Sequence, residues 1–363
     1  MSPTVSERIT DLTTTLVASP SYESEAGVQE LIASRLQECG FTCTLAEVAP
    51  GRPNLVARRG DGGTFLCSHA DTHPPHGHPD PFTCQKQGEL LVGRGVLDVK
   101  GQIAALVTAL EDEDDAPATV AITCDEEALG MGSEHLEIPE GPWFTDGGVV
   151  LEPTDMRVCT VQTGHIDVAV EVSGTPGHVY GDEASGSPIA AVLAAADALE
   201  TCGFLSVRHP LLPPARTQIN RINGGEHLWR RPARARIEIA MSIVPGVVVE
   251  DAVAEVRDRL DDVAQRWGAR GTSFLYDVLD WSRPIEVPAD LPIATRLARA
   301  MDATLEPAGM PSWTDAGHLL TKHGLPCVIF GAGELGPAHS DFEWVRLADL
   351  ERLAGVLRGL LSS

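Results

Sequence analysis

The sequence predicts an α/β protein, with a mixed sheet flanked by helices, into which a smaller α+β module is inserted. Helix-type and strand-type periodicities alternate over residues 5 to 160, and from about residue 163 they give way to runs of strand separated by two long helices. The α/β character returns after Asp280. At 363 residues the chain exceeds the size at which one hydrophobic core keeps growing, so two domains are expected. The boundaries fall at 1–162 plus 283–363 for the larger, discontinuous domain and at 163–282 for the insert.

In the larger domain an apolar-periodic helix covers about Glu25 to Glu38, and strands follow at 41–48, 54–58 and 64–69. A helix opens near Asp98, and further strands lie at 118–124 and 148–152. The acidic run EDEDD at 111–115 closes that helix before Ala116-Pro117 and reads as a solvated turn. In the insert, IDVAVEVSG, TQINRI, RARIEIAMSIV and TSFLYDVLD read as strands, with helices at 187–202 and 248–266. Two helices, the strand PCVIFGAG and a last helix at 346–361 complete the larger domain.

Twenty-seven Lys and Arg against 52 Asp and Glu give a net charge of -25, which argues against nucleic acid or an anionic membrane as a partner. The N-terminus MSPTVSERIT has no apolar signal core, and no stretch of about 18 uncharged apolar residues occurs, so a soluble cytoplasmic protein without a leader is expected. The eight cysteines are scattered without a CxxC pair and read as buried, reduced thiols, the close pair Cys39 and Cys43 included.

Five short motifs carry chemistry. FLCSHADTH ends an apolar strand with His69 and Asp71; residues i and i+2 leave a strand on one face, so the carboxylate is placed to orient the imidazole. GRGVLDVKG delivers Asp98 to a helix start, either as an N-cap or as a metal ligand. ATVAITCDEE ends an apolar strand in three consecutive acids. Gathering buried carboxylates costs several kcal/mol each, so such a cluster normally coordinates cations. Glu126 and Glu127 point in different directions and are free to divide labour. GGVVLEPTD places Glu152 before Pro153, and GPAHSDFEWV places His339 on a loop after a strand.

Together these motifs, over residues 5 to 360, resemble the di-zinc aminoacylase and carboxypeptidase family that includes acetylornithine deacetylase and succinyl-diaminopimelate desuccinylase. The resemblance implies a metallopeptidase catalytic domain and an inserted lid or dimerisation domain. It implies that His69 and Glu152 hold one Zn²⁺, that Glu127 and His339 hold a second, and that Asp98 bridges, with Co²⁺ or Mn²⁺ as possible replacements. Glu126 becomes the general base that takes a proton from a metal-bridged water, and Asp71 the imidazole partner.

In the same family the lid motif, here SGTPGHVYGDEASGSPI, carries a His that stabilises an oxyanion, often across a homodimer; His178 is that residue, or a polar turn residue. PSWTDAGHL and IFGAGELG resemble substrate-side loops and nominate Thr314, Asp315 and Gly331, although Thr314 also suits a helix N-cap. Gly333 shares the second loop. Two positions depart from the family. Aligned on Gly224, Gly225 and Pro232, Trp229 stands where relatives carry Asn, and Ser242 where they carry Arg.

Those departures put the usual carboxylate clamp in question. Arg230, Arg231, Arg234 and Arg236 crowd nearby, as substitutes or as an exposed basic strand. His73, His76 and His78 read as a flexible loop, and His318 and His323 as structural. The reading is a metal-dependent amidohydrolase acting on a small N-acyl amino acid, acetylornithine-deacetylase-like. Desuccinylase-like or dipeptidase activity is the alternative within the class, and a non-catalytic family member that binds a small ligand or a partner protein is the alternative outside it.

Overall fold

The computed structural model describes residues 3–113, 115–181 and 185–363. Asp114 of the acidic run and residues 182–184 of the lid motif lie outside the described residues. The chain forms two compact units, Met1–Thr160 with Val287–Met310 and Thr314–Ser363, and Val161–Glu286 with Pro311–Trp313.

In the first unit four strands, Ala118–Thr123, Thr64–His69, Gly148–Val150 and Cys327–Ile329, lie side by side and parallel. An antiparallel hairpin, Thr42–Ala49 with Arg52–Arg59, extends the sheet on one side, and Cys159–Gln162 joins it antiparallel on the other. Every residue of Thr64–His69 and Ala118–Thr123 is buried, as the centre of a parallel sheet requires, and their β-branched and apolar content fits that environment.

The helix Lys100–Asp112 is buried on all sides from Lys100 to Leu110 and packs against the helices Val5–Val17 and Leu347–Leu361. A helix apolar all round belongs inside a core. It starts at Lys100, close to Asp98 as expected. Val99 occupies the N-cap position without a side-chain cap, so Asp98 is not spent on capping.

Other expectations need correction. Glu111 and Asp112 of the acidic run do not form a solvated turn: both bind Arg8, at 3.0 and 2.7 Å, and Glu111 also binds Arg35 at 2.6 Å. Cys39, Cys43 and Cys84 are half-buried rather than buried. The strand at 148–152 stops at Val150. Proline at 153 has no N–H to continue a ladder, which leaves Glu152 beyond the last paired residue. The Val5–Val17 helix carries a signal the periodicity reading passed over: Thr4 and Glu7 cap each other's backbone N–H groups in a capping box.

In the second unit four antiparallel strands run in the order Thr217–Gly224, Arg234–Ile243, Gly164–Ser173 and Ser273–Ser282. The helices Pro188–Leu199 and Val249–Gly268 cover one face, where Val168, Val170, Ile237, Ile239, Val256 and Leu260 form a separate core. Arg234–Ile243 alternates buried and half-buried positions, the signature of a sheet with one packed face.

Candidate metal centre

The four parallel strands all end at the same edge of the sheet, and each chain segment leaving that edge contributes to one cluster. Ligands collect at carboxyl ends of parallel strands because the connecting loops converge there. Thr64–His69 ends on His69, and Ala118–Thr123 runs into the turn carrying Glu126 and Glu127. Gly148–Val150 precedes Glu152, and Cys327–Ile329 precedes the loop to His339.

Asp98 sits between the histidines. Its Oδ1 is 3.2 Å from His69 Nε2, and its Oδ2 is 3.3 Å from His339 Nε2. Two groups of potential ligands result, His69 with Asp98 and Glu152, and Asp98 with Glu127 and His339, the ligand atoms within each lying no more than 4.8 Å apart. Glu152 Oε1 is 3.6 Å from His69 Nε2, and Glu127 Oε2 is 2.7 Å from His339 Nε2. Glu126 belongs to neither group, with its Oε2 3.8 Å from His69 Nε2.

Asp71 ties the first histidine to the acidic turn. Its Oδ1 is 3.3 Å from His69 Nδ1, and its two oxygens accept the backbone N–H groups of Glu126 and Glu127 at 3.2 and 2.9 Å. Asp125, the first of the three acids, faces away from the cluster. It adopts φ +63°, a left-handed conformation that Asp tolerates, and its Oδ2 accepts from Leu129 and Met131. Its Oδ1 pairs with Arg52, which also grips Glu25. Asp125 therefore shapes the turn that aims its two neighbours.

The electrostatics are those of a site with too much negative charge. Burial pushes Glu126 and Glu152 well above the usual carboxylate range and Glu127 up to about 7. Burial opposes the charge on Asp98 as well, but hydrogen bonds from His339 and His69 hold it below its ordinary value. Burial also works against charging the imidazoles, yet the surrounding carboxylates lift His69 well above its usual range and His339 to about 10.

Divalent cations would reverse this accounting by satisfying the carboxylates in their charged form. Glu152 Oε1 is buried with no hydrogen-bond partner among the described residues. An orphan of that kind costs about 1–3 kcal/mol or more unless something outside the chain binds it. The donor set of carboxylates and imidazoles fits metal, and the fit does not depend on a thiolate.

The sequence reading missed Glu343 and Arg94. Glu343 is buried and accepts the backbone N–H groups of Gly95, Leu97 and Asp98 at 3.0, 3.0 and 3.1 Å, while Arg94 Nη1 binds it at 2.8 Å. This pair clamps the turn that presents Asp98. The available signal was an Arg inside the Gly-rich turn and a Glu four residues after His339, two charges in segments otherwise bound for burial.

The other nominated residues are placed as follows. Thr314 and Asp315 are buried: Thr314 Oγ1 accepts from the N–H of Ala316 at 3.3 Å, so it serves as a local cap, and Thr123 Oγ1 donates to Asp315 at 2.5 Å. Burial lifts Asp315 to about 6. Gly331 is buried with its N–H on Thr154 Oγ1, and a Cβ there would lie 1.8 Å from Gln102 Oε1 and 2.6 Å from the Glu152 carbonyl oxygen.

His178 belongs to the second unit, exposed on the two-residue strand Gly177–His178, which pairs with Arg230–Arg231. Trp229 is exposed beside Tyr180, and Ser242 accepts the N–H of Arg216. The four arginines nearby all have local partners, Arg230 with Glu226, Arg231 with the Thr175 carbonyl, Arg234 with Glu171 and Arg236 with Glu238.

A carboxylate shared between two histidine-and-carboxylate groups, at the carboxyl edge of a parallel sheet, defines a metal-dependent hydrolase with paired metal sites. The chain belongs to peptidase family M20/M25/M40, whose pattern it matches over residues 65–363, and is a metal-dependent amidohydrolase of that dinuclear class. It is similar to acetylornithine deacetylase of Photorhabdus laumondii, at 27% identity over 92% of this chain and 91% of that one. It is also similar to succinyl-diaminopimelate desuccinylase of Alkalilimnicola ehrlichii, at 29% identity over 97% of both.

Among solved structures, a tripeptidase from Staphylococcus aureus superposes with a TM-score of 0.78 at 17% identity, covering 98% of this chain and 97% of that one. Human carnosine dipeptidase 1 gives 0.79 at 16%, covering 98% and 96%. These two establish the fold, mixed α/β as expected.

Two outcomes test the architecture of the site. Glu343→Gln breaks a buried ion pair and is expected to lower the unfolding free energy by about 3 kcal/mol, read from urea denaturation; an unchanged midpoint would show the clamp to be dispensable. Gly331→Ala forces the Glu152 backbone or Gln102 to move, and is expected to weaken metal binding at least about tenfold, measured by competition with a chromogenic chelator.

Proposed function

We propose that the protein hydrolyses the amide bond of a small N-acyl amino acid, as an acetylornithine-deacetylase-like enzyme carrying two Zn²⁺ per chain. The observation that carries this reading is the sharing of Asp98: its two oxygens face His69 and His339 separately, with Glu152 and Glu127 completing the two groups and Glu126 left over. The relatives that support the acyl-amino-acid assignment are named for deacetylation and desuccinylation and span nearly the whole chain. Imidazole nitrogen and carboxylate oxygen suit Zn²⁺, with Co²⁺ or Mn²⁺ as replacements.

In this reading His69, Asp98 and Glu152 hold one cation, and Asp98, Glu127 and His339 the other. When bound, the pair supplies Lewis acidity to the scissile carbonyl and acidifies the attacking water. The chain does the rest. Asp71 fixes the His69 ring from Nδ1 and leaves Nε2 directed at the centre. Glu126 is held by its backbone N–H on Asp71 but has no ligand duty, so its carboxylate is available to accept the water proton and return it to the leaving amine nitrogen. Burial raises its proton affinity, which suits a base that must hold a proton between two steps.

Thr314, Asp315 and Gly331 form the substrate-side wall in this reading, through packing and backbone. His178 serves as an oxyanion donor from the second unit of a homodimer. A cytoplasmic setting accords with eight cysteines that are all free thiols.

A second reading, succinyl-diaminopimelate desuccinylase-like activity, is favoured by the desuccinylase relative's higher identity. Both readings share the base, and they separate on the acyl group.

Glu126→Ala is expected to keep two metals per chain and lose at least about a hundredfold in turnover, measured on N-acetyl- and N-succinyl-amino acids with metal content read in parallel. Near-normal turnover would remove Glu126 from the mechanism. Prolonged chelation should abolish cleavage by the native protein, and Zn²⁺ or Co²⁺ should restore it. Cleavage that survives complete metal removal would sink the metallohydrolase reading, and the better substrate decides between acetyl and succinyl.

A further inference from the structure

Of the two groups of ligands, the one built on Glu127 and His339 has the weaker covalent support. His69 ends a fully buried strand, whereas His339 lies on a loop, with its side chain 47% exposed and its backbone at φ +60°. A non-glycine residue in that conformation is held there by its surroundings. Arg94 Nη2 donates to the neighbouring Ser340 carbonyl at 3.1 Å, and further contacts come from His73 and Gly77 of the THPPHGH run.

The His73 ring stacks on the His339 ring with centroids 4.3 Å apart and planes 17° from parallel. The backbone N–H of His73 donates to Glu127 Oε1 at 3.1 Å, while the other oxygen of that carboxylate faces His339 Nε2 at 2.7 Å. Four residues on, the N–H of Gly77 donates to Asp341 Oδ1 at 3.2 Å, two residues beyond His339. A Cβ at 77 would lie 2.6 Å from Asp341 Oδ2, so a larger residue there would push that carboxylate off the Gly77 N–H. The His76 ring backs His73 at 4.8 Å.

We propose that His73 is a positioning residue for the second metal subsite, and that the loop from His73 to His78 is a brace latched to the His339–Asp341 segment. The proposal rests on the reading that Glu127 and His339 hold the second metal. One residue sets both ligands: its ring fixes the plane of His339, and its main chain fixes the rotation of the Glu127 carboxylate. What the ring contributes is its face. His73 Nδ1 is buried and has no hydrogen-bond partner among the described residues, so no polar bond of that atom explains the residue. Groups that orient a ligand from behind typically govern metal affinity by about 10- to 100-fold.

The test is calorimetric titration of the metal-free full chain with Zn²⁺. Wild type should bind two ions, and His339→Ala should bind one, which identifies the second subsite. His73→Ala should weaken only the second ion, by about 10- to 100-fold. His73→Phe keeps the flat face and the backbone N–H, and should bind within about threefold of wild type. Gly77→Ala, which opens the latch from its other end, should weaken the same ion. Urea midpoints of the metal-free variants separate a lost brace from a lost fold, since the two His73 variants should unfold alike.

Wild-type affinity for the second ion in His73→Ala overturns the proposal while leaving the site reading intact, and so does a His73→Phe variant as weak as His73→Ala. If His339→Ala still binds two ions, the assignment of His339 as a ligand fails and the brace fails with it.

Discussion

Everything in the first unit is arranged around one carboxylate, Asp98, whose two oxygens face two different histidines. A single-oxygen contact would have left two independent ion pairs. Sharing makes the two halves of the centre interdependent, since any rotation of Asp98 that improves one contact lengthens the other. The geometry is therefore only as good as the backbone beneath it, which explains why the amides of Gly95, Leu97 and Asp98 are tied to one buried acid, Glu343, and why that acid is neutralised by Arg94 from the same turn. A buried ion pair adds little to stability on its own account, and its usual contribution is to specify one arrangement. Here the arrangement it specifies is the position of Asp98.

The parallel sheet solves the complementary problem of bringing distant residues together. Parallel strands need crossovers of a dozen or more residues, so their neighbours in space are far apart in sequence, yet all their carboxyl ends fall on one edge. His69, the Glu126–Glu127 turn, Glu152 and the loop to His339 all leave from that edge. The second unit has its own apolar core and its own antiparallel sheet. Its chemistry-bearing residues are exposed or locally paired, His178 on a two-residue strand paired with Arg230–Arg231 and the arginines on neighbouring acids or, for Arg231, a backbone carbonyl. Trp229 and Ser242, which depart from the family pattern, belong to this unit, while every residue of the two groups of potential metal ligands belongs to the first.

His69, the acidic triplet and Glu152 were legible in the sequence as polar residues closing apolar strands, where burial without a partner is costly, whereas Asp98 in a Gly-rich turn and His339 on a loop were nominated through the family resemblance. The fold class was legible through periodicity. What stayed hidden lies in pairings across long sequence separations. Glu343 meets residues near 95, Arg52 meets Glu25 and Asp125, and His73 meets His339. Nothing in the local pattern around any of these residues says which distant segment it will touch. The acidic triplet shows the limit in miniature, since Asp125, Glu126 and Glu127 look alike in the chain. Only the left-handed backbone of Asp125 turns it away to cap the following turn.

That division also accounts for how adjacent glutamates acquire different duties. Asp71 holds both of their amides, so the two side chains leave the turn from a fixed base and in different directions. Glu127 is directed at His339 and falls in one group of potential ligands with it and Asp98. Glu126 lies 3.8 Å from His69 Nε2 and outside both groups, which in the proposed function leaves its carboxylate for proton transfer. A base at such a site must meet two demands that conflict: proximity to the cations, which lowers proton affinity, and enough proton affinity to carry a proton to nitrogen. In the proposed reaction burial among other carboxylates supplies the second demand. The acid one residue later, a ligand in the proposed function, has no such freedom.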